Sequence, residues 1–197
     1  MAKIFVLMGK SSTGKDTVYK RLRESSLEFK NVVIYTTRPM RQGETEGVEY
    51  HFVSEETRDN YCQTGKVIER RDYNTVYGLW SYFTVDDGQI DVVGDSKYLI
   101  IGTLESYEKF VDYYGKEIVV PIYIEVDDRT RIHRAIERED MQEIPKYSEM
   151  CRRFLADEKD FSEELLVKCG IDRRFANYDL DVCVEEILCG IEKKPDV

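Results

Sequence analysis

The stretch Gly9-Lys10-Ser11-Ser12-Thr13-Gly14-Lys15-Asp16-Thr17 carries two glycines, a lysine directly after the second, and a hydroxyl two places beyond the lysine. Set between a strand and a helix, this G-x-x-x-x-G-K spacing turns backbone N–H groups toward one anion, and Lys15 adds a full positive charge. The chemistry is phosphate binding; an ordinary strand-to-helix turn is the plain alternative. The position after Lys15, where a Ser or Thr usually meets magnesium, is Asp16, with Thr17 supplying the hydroxyl. Two roles stay open for Asp16. It can face a magnesium ion, directly or through water, or it can sit well as an acid at a helix N-terminus.

The cations gather in two further places. Thr36 to Glu44 holds Arg38 and Arg41, and two guanidiniums grip a phosphate in bidentate fashion as one lysine cannot. Taken alone, they are equally well read as two solvated loop arginines. Arg134 and Arg138 lie four apart on a helical pattern, Arg152 and Arg153 on the next one. Like charges at that spacing repel unless an anion or a carboxylate intervenes, and Glu137 and Glu139 are at hand. The polar, breaker-containing segment 139–145 between the two helices makes the whole resemble a lid, which would bring cations onto a transferring phosphoryl group and exclude water.

These clusters matter because the chain is acidic overall. Its formal charge is −10 over 197 residues, which argues against a general nucleic-acid or membrane surface. An apolar share of 42% and 14 tyrosines fit one packed domain with a mobile part. Five cysteines (62, 151, 169, 183, 189) form no C-x-x-C pair, which fits reduced thiols and a cytoplasmic protein; neither His51 nor His133 stands at zinc spacing to them. No apolar run approaches a membrane span and no secretory leader is evident.

The elements that must position these residues follow from periodicity. Ile4–Met8 reads as a buried strand, with Val18, Tyr19 and Leu22 striping the helix after the loop. Val32–Tyr35 reads as a second strand, 36–50 as loop, and Tyr50–Val53 as a half-exposed strand. Ser54 caps a helix ending near Gly65. Strands Val67–Tyr73 and Tyr82–Val85, joined by a turn containing Asn74 and Gly78, break the strand–helix alternation as an insertion would. Alternation resumes with strand Tyr98–Ile101, a helix striped by Leu104, Tyr107, Val111 and Tyr114, and strand Ile118–Val126, where Pro121 is tolerable only if no ladder donor is needed. A helix at 128–139, capped by Asp128, has Ile132, Ala135 and Ile136 as its apolar stripe. Tyr147, Met150, Cys151, Phe154 and Leu155 mark another helix, and Val184, Ile187, Leu188 and Ile191 the last. Lys193–Val197 reads as a frayed tail.

From Arg38 onward the chain resembles the guanylate kinase family of nucleoside monophosphate kinases. The resemblance starts at the phosphate loop and continues through Thr36-Thr37-Arg38-x-x-Arg41-x-Gly43-Glu44-x-x-Gly47-x-x-Tyr50-x-Phe52-Val53, then Ile68-Glu69, Tyr77-Gly78, the arginine-bearing lid and Asn177-x-Asp179-Leu180-Asp181. It implies that Arg38, Arg41, Tyr50 and Tyr77 hold the acceptor phosphate of GMP and that Glu44 and Glu69 lie near the purine. Gly9 to Thr17 would hold the ATP phosphates, with Asn177 near the adenine, Thr17 and Asp16 toward Mg2+, and Lys15, Arg138 and Arg153 acting on the migrating phosphoryl group. Donors and cations rather than nucleophiles suit a reaction that needs alignment and charge neutralisation.

Three departures stand out. The family's Ser four places before Arg38 is Ile34, its Asp-x-Asp strand is Ile100-Ile101-Gly102, and Leu79-Trp80 follow Gly78 where a serine is usual. Asp16 is the candidate to replace the metal-facing carboxylate, and Glu105 or Asp86 the base-facing one. The resemblance implies a three-layer α/β P-loop kinase with a parallel central sheet. Its core would span about 1–34, 91–133 and 154–197, with a nucleoside-monophosphate-binding subdomain at about 35–90 and a small helical lid at about 134–153. ATP and GMP would be the substrates, with no nucleic acid polymer and no membrane as partners, in a monomer or homodimer. The alternatives are the same fold acting on another monophosphate, and a catalytically inactive binding module.

Overall fold

The computed structural model describes residues 1–41, 43–75 and 78–192. Strand β1 (Lys3–Met8) is apolar throughout because both of its faces are covered. Ile4, Val6 and Met8 enter one packed layer, Phe5 and Leu7 the other, as the two-residue period of a strand requires. After it come α1 (Lys15–Arg23), β2 (Lys30–Asn31), β3 (Tyr35–Thr36), β4 (His51–Phe52), α2 (Glu55–Gln63), β5 (Val67–Thr75) and β6 (Gly78–Val85). Then follow β7 (Lys97–Ile101), α3 (Leu104–Tyr114), β8 (Val119–Glu125), α4 (Asp128–Asp140), α5 (Tyr147–Asp160), α6 (Glu163–Lys168), β9 (Arg174–Ala176) and α7 (Leu180–Glu192).

The core sheet has the order β2-β7-β1-β8-β9, and every pair in it is parallel. One face carries α3 through Leu104, Tyr107 and Phe110; the other carries α1 and α7 through Val18, Leu22, Cys183, Val184 and Ile187. This is a three-layer α/β fold, with each fully buried leucine, such as Leu7 or Leu22, contributing about 1.5–3 kcal/mol. The connection from β1 runs out past β7, whereas the one from β7 crosses back beyond β1. The strand order therefore reverses beside β1, and a crevice for ligand opens at the carboxyl end of that strand. Pro121 fits for a stated reason. The Ile4 N–H donates to the Ile118 carbonyl, so positions 118, 120 and 122 face β1 while the missing Pro121 donor points where β9 has not begun to pair.

A second sheet, β4-β3-β6-β5, is built from the insertion; β3 and β4 run parallel and the other pairs antiparallel. The Val32–Tyr35 strand is corrected here. Two short strands flank residues 32–34, and they belong to different sheets. The chain is leaving one sheet for the other, so no strand lies beside Val33. The Gln89 side chain takes that place, accepting from the Val33 N–H at 2.9 Å and donating to its carbonyl at 3.1 Å. The hairpin is also longer than its turn residues imply, since Asn74 pairs with Leu79 and Thr75 with Gly78.

Helix α4 departs from its apolar stripe. Its cap is Asp127, which accepts from the Thr130 N–H, while Asp128 pairs with Arg131. Ile132 and Ile136 are 37% and 38% exposed, and the buried residues are Arg131, Ala135 and Glu139. The helix packs by a polar stripe because its neighbour α5 offers carboxylates rather than apolar surface. Nothing on α5 is fully buried, and its Leu155 is 65% exposed. No described helix is long and apolar enough to cross a membrane. The tail Lys193–Val197 lies outside the described residues.

Candidate active site

The phosphate loop closes the carboxyl end of β1. Gly9 (φ +150°) passes so near β8 that a Cβ would lie 2.4 Å from the Ile124 carbonyl oxygen. Gly14 (φ +90°) is the N-cap of α1, and a Cβ there would meet Asn177 Nδ2 at 2.4 Å. These two positions need glycine by conformation and by space. Thr13 Oγ1 donates to the Lys10 carbonyl at 2.9 Å, and Lys15 Nζ donates to the same oxygen at 3.0 Å. Burial pushes the Lys15 ammonium down to about 8, opposed by the negative charges of Asp16 and Asp157 and reinforced by Arg153 and Arg131. An anion at this loop would relieve that strain on the cation. Asp16 and Thr17 sit exposed in the first turn of α1.

Asn177 is engaged as a strut. Its Nδ2 donates to the Thr13 carbonyl at 2.7 Å, and its own carbonyl accepts from Arg134 Nη2 at 2.9 Å. The resemblance sets this side chain near an adenine; here its amide donor already holds the phosphate loop.

The loop opens onto a cleft of about 1190 Å³ between the two sheets. Asp16 and Tyr19 come from the core, Tyr50, Arg71 and Tyr82 from the second sheet, and Arg152 and Arg153 from α5. Ile34 and Ile100, two of the replaced positions noted in the sequence, line this cleft together with Ile101. Asp86 accepts from the Tyr113 hydroxyl at 2.8 Å, and Glu105 lines a smaller neighbouring cavity of about 570 Å³ with Arg70 and Arg71.

Arg38 is 3% exposed and bound through both terminal nitrogens to Glu44, at 2.7 and 2.9 Å. That pairing holds the Glu44 carboxyl down at about 2. The guanidinium also lies 5.2 Å from the Tyr50 ring and 5.4 Å from Phe52. Glu44 therefore sets the direction of an arginine in this structure. Glu69 is buried too, paired with Arg71 at 3.0 Å and accepting from Thr84 at 2.9 Å. Arg41 is exposed and forms no ion pair among the described residues, although its N–H donates to Glu44. Tyr77 lies outside the described residues.

The structure brings Asp16, Tyr50 and Arg153 to one cleft, with Lys15 buried near Asp16 and Arg153, and leaves Arg138 off it. Arg138 is 47% exposed, 3.8 Å from Glu139. Sequence reasoning passed over Arg131, Asp157 and Glu158, which bind the phosphate loop from behind; their signal was the polar i, i+3 spacing of Asp128 and Arg131. Two buried side-chain polar atoms among the described residues have no partner, Ser12 Oγ and Arg38 Nε. One lies in the glycine-lysine loop and the other on the buried Arg38 side chain, and an orphan of this kind is a feature a bound phosphate oxygen would satisfy.

A parallel sheet with a glycine-lysine phosphate loop at its switch point, beside a cleft shared with an inserted second sheet, defines the P-loop α/β kinase fold class. Residues 1–84 match the family model described as guanylate kinase. Similar curated proteins include the guanylate kinases of Frankia casuarinae, 48% identical over 64 residues (32% of this chain, 35% of that one), and of Aliivibrio fischeri, 36% identical over 98 residues (47% of each). The matched stretches thus span about a third to a half of the length of these relatives. The guanylate kinase crystal structure from Anaplasma phagocytophilum superposes with a TM-score of 0.61 at 23% identity, over 98% of this chain and 88% of that one. Residues 1–84 are thus similar to guanylate kinases, and the chain as a whole shares the fold of the solved guanylate kinase.

Proposed function

We propose that the protein transfers the terminal phosphoryl group of ATP to a nucleoside monophosphate, GMP foremost, giving ADP and GDP. The observation that carries this reading is the pair of orphaned buried polar atoms, Ser12 Oγ in the glycine-lysine loop and Nε on the buried Arg38 side chain. The donor phosphates would meet the loop N–H groups and the Lys15 ammonium, and the acceptor phosphate Arg38 and Tyr50. Arg41 and Tyr77 would join them, and Arg138 would arrive as the segment 134–153 closes.

The described residues hold no group of three His, Cys, Asp or Glu able to bind a metal unaided. A magnesium ion needs none, because it keeps water and phosphate oxygens and takes only one or two protein ligands. The Asp16 carboxylate and Thr17 hydroxyl are of the right type for it, and the ion would neutralise charge between the phosphates. The relatives' names support free nucleotides as the substrates, with the cytoplasm as the setting.

The same fold acting on a different monophosphate keeps one specific observation in its favour, the apolar floor of Ile34, Ile100 and Ile101. A coupled ADP-release assay with ATP, magnesium and GMP, dGMP, AMP, UMP or CMP decides. Turnover confined to GMP and dGMP is the expected result, turnover on another base changes the acceptor, and no ATP binding overturns the enzyme reading.

A further inference from the structure

Helix α5 carries Arg153 into the cleft, and one turn later it carries two carboxylates onto the back of the phosphate loop. Asp157 Oδ2 accepts from the Ser11 N–H at 2.8 Å and from Arg131 Nη2 at 2.9 Å. Glu158 Oε1 accepts from Lys10 Nζ at 2.7 Å and from Arg131 Nη1 at 3.0 Å. Arg131 itself is 0% exposed; its Nε donates to the Ser11 carbonyl at 3.1 Å, its Nη1 also to Asp128 at 2.7 Å, and the Phe154 ring covers it at 4.4 Å. The Ser11 peptide is therefore gripped at both ends, its N–H by Asp157 and its carbonyl by Arg131. The N–H groups of Ser12, Gly14, Lys15 and Asp16 have no intramolecular acceptor among the described residues. The network holds the outer side of the loop and leaves its inner donors for phosphate.

Burying a guanidinium beside three carboxylates carries a desolvation penalty, and a well-packed apolar residue would fill the space at least as stably. What the apolar residue would lose is register. Arg153 and Asp157 are four apart, on one face of α5. With Asp157 fixed to Ser11, Arg153 stands close enough to the Lys15 end of the loop to act on its ammonium, whereas Arg138, on the far end of α4, has no such tie.

Resting on the kinase reading above, we propose that Arg131, Asp157 and Glu158 are positioning residues for phosphoryl transfer. They fasten the C-terminal half of α5 to the phosphate loop so that Arg153 is preset against the donor phosphates, and Arg138 alone of the two catalytic arginines must travel.

The test is a double-variant cycle in the full chain, Asp157→Ala with Arg153→Gln, read as kcat and both KM values. Asp157→Ala is expected to lower kcat by about 10–100-fold with the acceptor KM within about twofold, an effect of positioning. Adding Arg153→Gln to Asp157→Ala should then cost at least tenfold less than it does in the unmodified chain. Additive losses, or a lowered melting temperature with unchanged kinetics, overturn the proposal. If Asp157→Ala does not fold, Glu158→Gln replaces it, with the same non-additivity required. If the unmodified chain turns over no monophosphate, the kinase reading fails separately, and the cycle is read on ATP affinity, where additivity again overturns the anchoring.

Discussion

The loop Gly9–Thr17 is held from α4, α5 and the segment after β9, through Arg131, Asp157, Glu158 and Asn177. The loop bearing Arg38 is held mostly from within, by Glu44 six residues on and by the rings of Tyr50 and Phe52. One loop is a fixed cradle with free inner N–H groups. The other is a cation kept in place by an internal carboxylate, which an acceptor phosphate would join or displace on the reading proposed above. The contrast fits the proposed transfer: a donor loop would have to hold a polyphosphate rigidly in line, and an acceptor loop to admit and release a smaller ligand on every cycle.

The largest expected effect comes from removing the cradle's charge. Lys15→Met should lower kcat/KM for ATP by about 10²–10³ or more. Stability should move the other way in the absence of nucleotide. The ammonium titrates near 8 in the fold against 10.5 in its ordinary state, so the unfolded chain binds its proton more tightly, and folding stability rises with pH between those values. At neutral pH the charged lysine therefore burdens the apo fold, and Lys15→Met should melt higher, in a thermal scan, by a few degrees. The same residue sets a pH dependence for ATP affinity, which should fall as pH rises through about 8 and be flat below about 7. An affinity independent of pH up to 10 would break the link between the buried lysine and the cradle.

Next comes the rigidity of the cradle. Gly14→Ala puts an L side chain at φ +90° and against Asn177 Nδ2. The backbone conformation alone costs about 1–3 kcal/mol. Denaturant unfolding should show that loss, and ATP affinity should drop with it because Asn177 is pushed off Thr13. A smaller and selective effect is expected on the other loop. Arg38→Gln should raise the acceptor KM about 10–100-fold and leave the ATP KM unchanged. Glu44→Gln should raise it less, since the arginine remains but loses its bidentate partner. Equal effects of Arg38→Gln on both KM values would erase the difference between the loops.

These two loops also differ from their supports in how far sequence reveals them. Gly9, Gly14 and Lys15 announce themselves by their spacing within one short loop, and Arg38 by the arginine three places beyond it. The strands β1, β7 and β8 were legible for the same reason, each being apolar on both faces. The Arg131 network joins residues up to 148 positions apart (Lys10 to Glu158), and no local pattern connects Ser11 to Asp157. The split of Val32–Tyr35 was hidden likewise, because its partner is the side chain of Gln89 rather than a strand. Glu44 and Glu69 read as base-facing carboxylates by resemblance, yet each is turned onto an arginine of its own loop or strand.

Helix α4 isolates this lesson at low amplitude. Its sequence offers Ile132 and Ile136 as an apolar stripe, and its packing uses Arg131, Ala135 and Glu139 instead. A helix settles by the face its neighbours can satisfy, and α5 presents Asp157 and Glu158 to that face. Replacing Ile132 and Ile136 with Gln should therefore change folding stability by no more than about 0.5 kcal/mol each, as for surface sites. Ala135→Gln, one residue away on the buried face, should destabilise by about 1–3 kcal/mol through overpacking. Denaturant midpoints at unchanged slope measure all three. A larger loss at Ile132 than at Ala135 would return the helix to the face its hydrophobicity names, and would remove Arg131 from the back of the phosphate loop.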